Sequence, residues 1–161
     1  MPFMTRLALA STLLVASFAP AFAAGPSPVG SWLSTDGQAQ VRVTMCGDGT
    51  ALCAKLTALR GTARTAENLQ LLNSYVVERA EMADANSWQG TVHFNGQTAT
   101  GHITLVGAST ISVSGCQLGM CKTFQFTRVS DRVAAAMVAA SAAAPAETVA
   151  QARTVGLTVS E

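Results

Sequence analysis

The chain has 161 residues, a length that suits one domain, and its ten Lys and Arg stand against nine Asp and Glu for a formal charge of +1. So even a balance argues against phosphate-rich partners, which need a basic footprint, and no nucleic acid is expected among its partners.

In chain order, the first feature is a leader. Arg6 precedes an apolar run over residues 7–18, and Pro20 precedes Ala21-Phe22-Ala23. A lone cation, an apolar core and a small-x-small site together form the pattern of a secretory signal peptide, with cleavage after Ala23. The run of 12 residues is well short of the roughly 20 that a spanning helix needs. No later stretch is long and apolar enough to span, so the expected product is periplasmic or secreted, with no membrane span after cleavage. Cleavage removes Arg6 and leaves nine basic and nine acidic residues. Residues 24–129 are expected to form the folded domain and residues 130–161 a tail.

Four cysteines in a small exported chain favour disulfides. A four-cysteine zinc site is the rival. Its pairs would be separated by six residues (Cys46, Cys53) and four residues (Cys116, Cys121), against the tighter pairs that structural zinc prefers. No metal is expected.

Residues 29–34 read as a first strand, with Thr35-Asp36-Gly37 as a turn. Val41, Val43 and Met45 alternate with Arg42 and Thr44. Beyond Cys53, Ala54, Leu56 and Ala58 alternate with Lys55 and Thr57. Placing Cys46 opposite Cys53 sets Met45 against Ala54, Val43 against Leu56 and Val41 against Ala58. Every apolar residue then meets another.

Thr65 is a candidate cap for a short helix over residues 66–72. Residues 75–77 read as a strand, and residues 78–86 as a polar loop. Asn95-Gly96 is a strong two-residue hairpin signal. It sets Phe94 against Gln97, Val92 against Ala99 and Gly90 against Gly101. Trp88, Val92, Phe94, Ala99, Ile103 and Leu105 then share one face, and the opposite face is polar. Placing Cys116 opposite Cys121 sets Val113 against Phe124, Ile111 against Phe126 and Ser114 against Thr123. The expected bonds are Cys46–Cys53 and Cys116–Cys121, with the other two connectivities open. About eight short strands joined by tight turns point to a small antiparallel barrel or sandwich. Residues 131–144 are nearly all Ala, Val and Met. Alanine favours helix, but so few large side chains bury little, so a helical and a disordered tail are both consistent.

Several fragments carry a family resemblance: Gly30-x-Trp32, Cys46-Gly47-Asp48 with Leu52-Cys53, Asn68 with Leu71-Leu72, Trp88-x-Gly90, Gly115-Cys116 and Thr127-Arg128-Val129. In order and spacing they resemble an exported bacterial domain-of-unknown-function family, number twenty-one forty-seven, over residues 29–129. The chain departs from that pattern at Ala54 (usually glycine), at Phe94-Asn95 and Thr98 (usually Asp-Pro and tyrosine) and at Phe126 (usually tryptophan). The resemblance implies a lipocalin-like, up-and-down β-barrel of the cell envelope and no activity.

No constellation of reactive side chains stands out. His93 and His102, the only histidines, fall on the polar face about 13 Å apart, too far for one metal. No acid pair is placed for proton transfer, and no nucleophile elbow, phosphate loop or dinucleotide fingerprint occurs. The four-residue spacing of Cys116 and Cys121 on a hairpin departs from redox-active pairs. Arg42 and Lys55 read as solvated charges. The leading expectation is therefore a non-enzymatic barrel that binds a small apolar or amphipathic ligand without a cofactor, with Trp32 and Trp88 as candidate lining residues. A periplasmic interaction or structural module without a ligand comes second, and a hydrolase or redox enzyme third. Peptide mapping without reduction should link Cys46 to Cys53 and Cys116 to Cys121. A peptide joining the two hairpins would overturn the assignment.

Overall fold

The computed structural model describes residues 25–94 and 96–143. The leader over residues 1–23 and the tail beyond Ala143 lie outside the described residues. Eight strands follow one another: β1 (Gly30–Ser34), β2 (Ala39–Cys46), β3 (Ala51–Leu59), β4 (Tyr75–Asp84), β5 (Ser87–Phe94), β6 (Gln97–Val106), β7 (Thr110–Gln117) and β8 (Met120–Val129). Each pairs antiparallel with the next, and β8 pairs with β1, so the sheet closes into an up-and-down barrel rather than a sandwich. Among the described residues, closure leaves no strand edge unpaired. A 3-10 turn (Gly61–Ala63) and helix α1 (Ala66–Gln70) connect β3 to β4, and helix α2 (Asp131–Ala143) follows β8.

The alternation predicts most registers. In the β5–β6 hairpin, Phe94 meets Gln97, Val92 meets Ala99 and Gly90 meets Gly101. In the second cysteine hairpin Cys116 meets Cys121, Val113 meets Phe124 and Ile111 meets Phe126. The first cysteine hairpin differs from expectation. Cys46 lies opposite Ala51, and Cys53 lies opposite Thr44. The four residues between the strands form a tight turn, closed by Gly49 N–H donating to the Cys46 carbonyl at 3.0 Å. The Asp48 carboxylate accepts from the Thr50 amide and hydroxyl. This turn slips the register by two residues, so Val43 meets Ala54 and Val41 meets Leu56. An even slip keeps every side chain on its own face, so the apolar face survives. The Cys46–Cys53 bond then runs diagonally, with Cα atoms 5.9 Å apart, whereas Cys116 and Cys121 are bonded directly across their hairpin.

The second difference is β4. Residues 78–84 are strand, not the expected polar loop. A bulge between Glu78 and Glu81, with Arg79 at φ 41°, breaks the alternation. Val77 and Ala80 are both buried although three residues apart, while Glu78, Arg79 and Glu81 are exposed. A bulge inserts one unpaired residue and hides the period of two.

Inside, Gly90, Gly101 and Gly115 form one row across β5, β6 and β7. A Cβ on Gly90 would sit 2.5 Å from the Ala80 Cα, so β4 and β5 approach here only because the side chain is missing. Leu52, Ala54, Leu56, Val77, Ala80, Trp88, Val92, Ile103, Leu105 and Ile111 belong to one buried cluster with Trp32.

Helix α2 lies outside the barrel against β3 and β1. Ala134, Met137 and Ser141 form its buried stripe, and small residues let it sit close to the sheet. Its start is held by Asp131 to Arg42 at 2.9 Å, an exposed pair that adds little by itself. Its end is held by the Ser141 hydroxyl, which accepts the Leu59 N–H at 3.1 Å, and the Ser141 carbonyl, which accepts from Arg64 at 3.0 Å. Of the two readings of the tail, the helix is present as far as Ala143.

Replacing Gly90 with Ala should cost about 1–3 kcal/mol of stability by overpacking against backbone. A urea titration would show it as a lower midpoint at unchanged slope, and an unchanged midpoint would refute the close-approach argument.

Candidate functional site

One end of the barrel is closed and the other leads into a cavity. At the closed end Trp32 is fully buried, and its indole N–H donates to the Pro28 carbonyl at 2.8 Å. The Arg128 guanidinium stacks over the ring, 4.2 Å from its centre. Arg128 also donates to the carbonyls of Val29 at 2.7 Å, Ala108 at 2.9 Å and Ser27. One side chain thus ties the segment before β1 and the β6–β7 turn to β8. Gly30, at φ 141°, leaves the space: a Cβ there would lie 2.6 Å from an Arg128 nitrogen. Ala80, Trp88 and Leu105 are buried in the same cluster but do not line the cavity.

The cavity has a volume of about 480 Å³. Trp32 forms part of its lining, with Val41, Val43, Leu52, Ala54 and Leu56 from β2 and β3. Val92, Ile103, Ile111 and Val113 line the opposite wall. These are the inward members of each alternating strand, so the pattern that makes the core also makes the cavity wall. Phe94, Phe124 and Phe126 lie towards the mouth, the Phe94 and Phe124 rings being 5.9 Å apart. Trp88, the other sequence candidate, is buried outside the lining, and its indole nitrogen has no hydrogen-bond partner among the described residues.

The mouth is rimmed by the β1–β2 turn, the β3–β4 connection, the end of β5 and the earlier part of β8. Its polar groups mostly bind one another. The Gln38 carboxamide oxygen accepts from the Thr62 hydroxyl at 2.7 Å and the Ala63 amide at 2.9 Å. Thr65 caps α1 through the Asn68 amide, as its position predicts, and the Asn68 side chain donates to the Ala63 carbonyl. The Asp36 carboxylate accepts from the Ser34 hydroxyl and then from the Gln38 amide, and these bonds hold it below its ordinary pKa. Sequence reasoning did not place Thr62, Ala63 or Leu71 in the site. The Thr65 cap was the available signal that this irregular segment is ordered.

His93 is half-buried at the cavity wall, where the strand pattern had placed it on the wet face. The Thr98 hydroxyl lies 3.2 Å from its Nδ1, and Glu78 lies 3.7 Å from its Nε2. His102 is exposed. Among the described residues no three His, Cys, Asp or Glu side chains are grouped to hold a metal, and no helix is long and apolar enough to cross a membrane. The cavity wall offers mostly apolar surface, and most of its polar groups are hydrogen-bonded to one another, although His93 Nε2 has no hydrogen-bond partner among the described residues.

A family model described as an uncharacterized protein conserved in bacteria, DUF2147, matches residues 30–128. The fold is similar to the solved structure of protein HP1028 from the human pathogen Helicobacter pylori, described as belonging to the lipocalin family. The TM-score is 0.51 at 14% identity, covering 70% of this chain and 89% of that one. No curated protein is significantly similar.

Above the unfolded carboxylate pKa, the Asp36 hydrogen bonds contribute stability that is lost as pH falls through the depressed folded value. Wild type should therefore exceed Asp36→Ala in urea midpoint at neutral pH, with the gap closing below about pH 4. A gap independent of pH would contradict this.

Proposed function

The chain belongs to the bacterial family DUF2147, and we propose that this member is a non-enzymatic, exported barrel that holds a small apolar or amphipathic ligand. The observation that carries this reading is the cavity of about 480 Å³, lined mostly by apolar side chains, with its polar lining residues gathered towards one end of the barrel. An apolar ligand placed there leaves water over much of its surface, and burial supplies the affinity. Trp32 forms the floor, and the phenylalanines of the mouth close around the ligand's outer part. Trp88 packs the base and supports the floor from outside the lining. The lipocalin-like fold of the structural neighbour is compatible with such cargo.

The two disulfides support an oxidising compartment. With the leader pattern of residues 1–23, they favour export and cleavage after Ala23, leaving a barrel over residues 24–129 and a tail over residues 130–161.

Native mass spectrometry of protein purified from its own compartment should show an added small-molecule mass. The fluorescent fatty acid cis-parinaric acid should enter the emptied barrel and brighten. Val113→Trp, which fills part of the void, should weaken its uptake at least about tenfold, equivalent to about 1.4 kcal/mol, at a retained thermal midpoint. No added mass together with no uptake by wild type would sink the reading in favour of an interaction module without a ligand.

A further inference from the structure

We infer that the tip of the β7–β8 hairpin is a docking element for an anionic lipid surface. Cys116 meets Cys121 and Gln117 meets Met120, so Leu118-Gly119 is a two-residue turn. Both turn residues have positive φ, 50° at Leu118 and 80° at Gly119. Such turns select Asn-Gly, Asp-Gly or Gly-Gly, and the neighbouring hairpin at this end carries Asn95-Gly96. Leucine is poorly suited to this conformation. Here it is also 93% exposed, and Met120 beside it is 76% exposed. Neither side chain is placed for packing within the fold. A disulfide holds this unfavourable tip in position, and a conformational outlier that the surrounding structure enforces points to a role outside the fold.

The surroundings identify the partner. Met120 and Lys122 fall on the same side of β8 as Phe124 and Phe126, which line the cavity. This side of β8 therefore presents Met120, then Lys122, then the two phenylalanines, from the tip to the mouth. Lys122 is the only charged residue between Thr110 and Thr127, and no acid accompanies it. Two apolar side chains are far less than the roughly 800 Å² per partner that a stable protein interface buries. They are suited to shallow insertion at a headgroup boundary, with the lysine among anionic headgroups. Docking there would set the mouth against the phase in which an apolar ligand resides.

The inference goes beyond the ligand reading, and it is tested with no cargo present, so either can fail alone. Protein purified as the cell processes it is floated with phosphatidylcholine vesicles containing one part in four of phosphatidylglycerol. Wild type should float. Leu118→Asn combined with Met120→Ser should lower the partition coefficient at least about tenfold, since it removes both insertable side chains. Asn suits the left-handed turn, so the thermal midpoint and both disulfides should be kept. Lys122→Glu should weaken binding to these vesicles and leave binding to pure phosphatidylcholine unchanged. Wild type that does not float, or a double variant that floats equally well, overturns the inference. So does sedimentation that finds a wild-type dimer dissociated by the double variant, because the tip would then be a contact between copies.

Discussion

Closure of the barrel at one end rests on Arg128 lying over Trp32. The arrangement joins three requirements in one place. The ring needs its N–H satisfied in a fully buried position, and Pro28 supplies the acceptor. The guanidinium needs acceptors close to apolar surface, and three backbone carbonyls provide them. The seam between first and last strands must hold, and Trp32 and Arg128 are register partners across it. A cation over an indole face is favourable, more so when partly shielded from water, and planar Arg satisfies stacking and several acceptors together in a way Lys cannot.

With that end shut, filling of the interior is uneven. Trp88, Ala80 and Leu105 pack the base, while Val, Ala and Leu side chains line the rest without meeting in the middle. The row of Gly90, Gly101 and Gly115 lets neighbouring side chains lie flat against the wall: a Cβ on Gly101 would be 2.2 Å from Val92. Small barrels of eight strands are near the size at which side chains just fill the interior. The distribution of large and small residues therefore decides whether a cavity remains.

The mouth follows a different logic. Its polar side chains fasten one loop to another, through Gln38 to residues 62 and 63 and through Asn68 to residue 63. Such bonds hold the irregular connection between β3 and β4 in place and leave phenylalanine rings as the surface a ligand would meet. Helix α2 braces the same connection from outside, since Arg64 and Leu59 both bind Ser141.

The sequence by itself determined the class of fold, the antiparallel order and the partners in the two hairpins around Asn95-Gly96 and Cys116–Cys121. In the first, strict alternation and a two-residue turn leave one register; in the second, setting Cys116 opposite Cys121 gives it. It also determined the Thr65 cap, because capping is local. The tertiary structure alone decided the slip between β2 and β3, since a shift of two preserves the hydrophobic face and only the hydrogen bonds of the Gly47–Thr50 turn distinguish the alternatives. It alone decided that residues 78–84 are strand, because the bulge at Arg79 erases the period that marks one. The void was equally illegible: Trp32 and Trp88 are alike in sequence and both buried, yet one faces the cavity and the other fills the base. That difference depends on where each inward position falls along the barrel axis, which follows from closure and not from any local pattern.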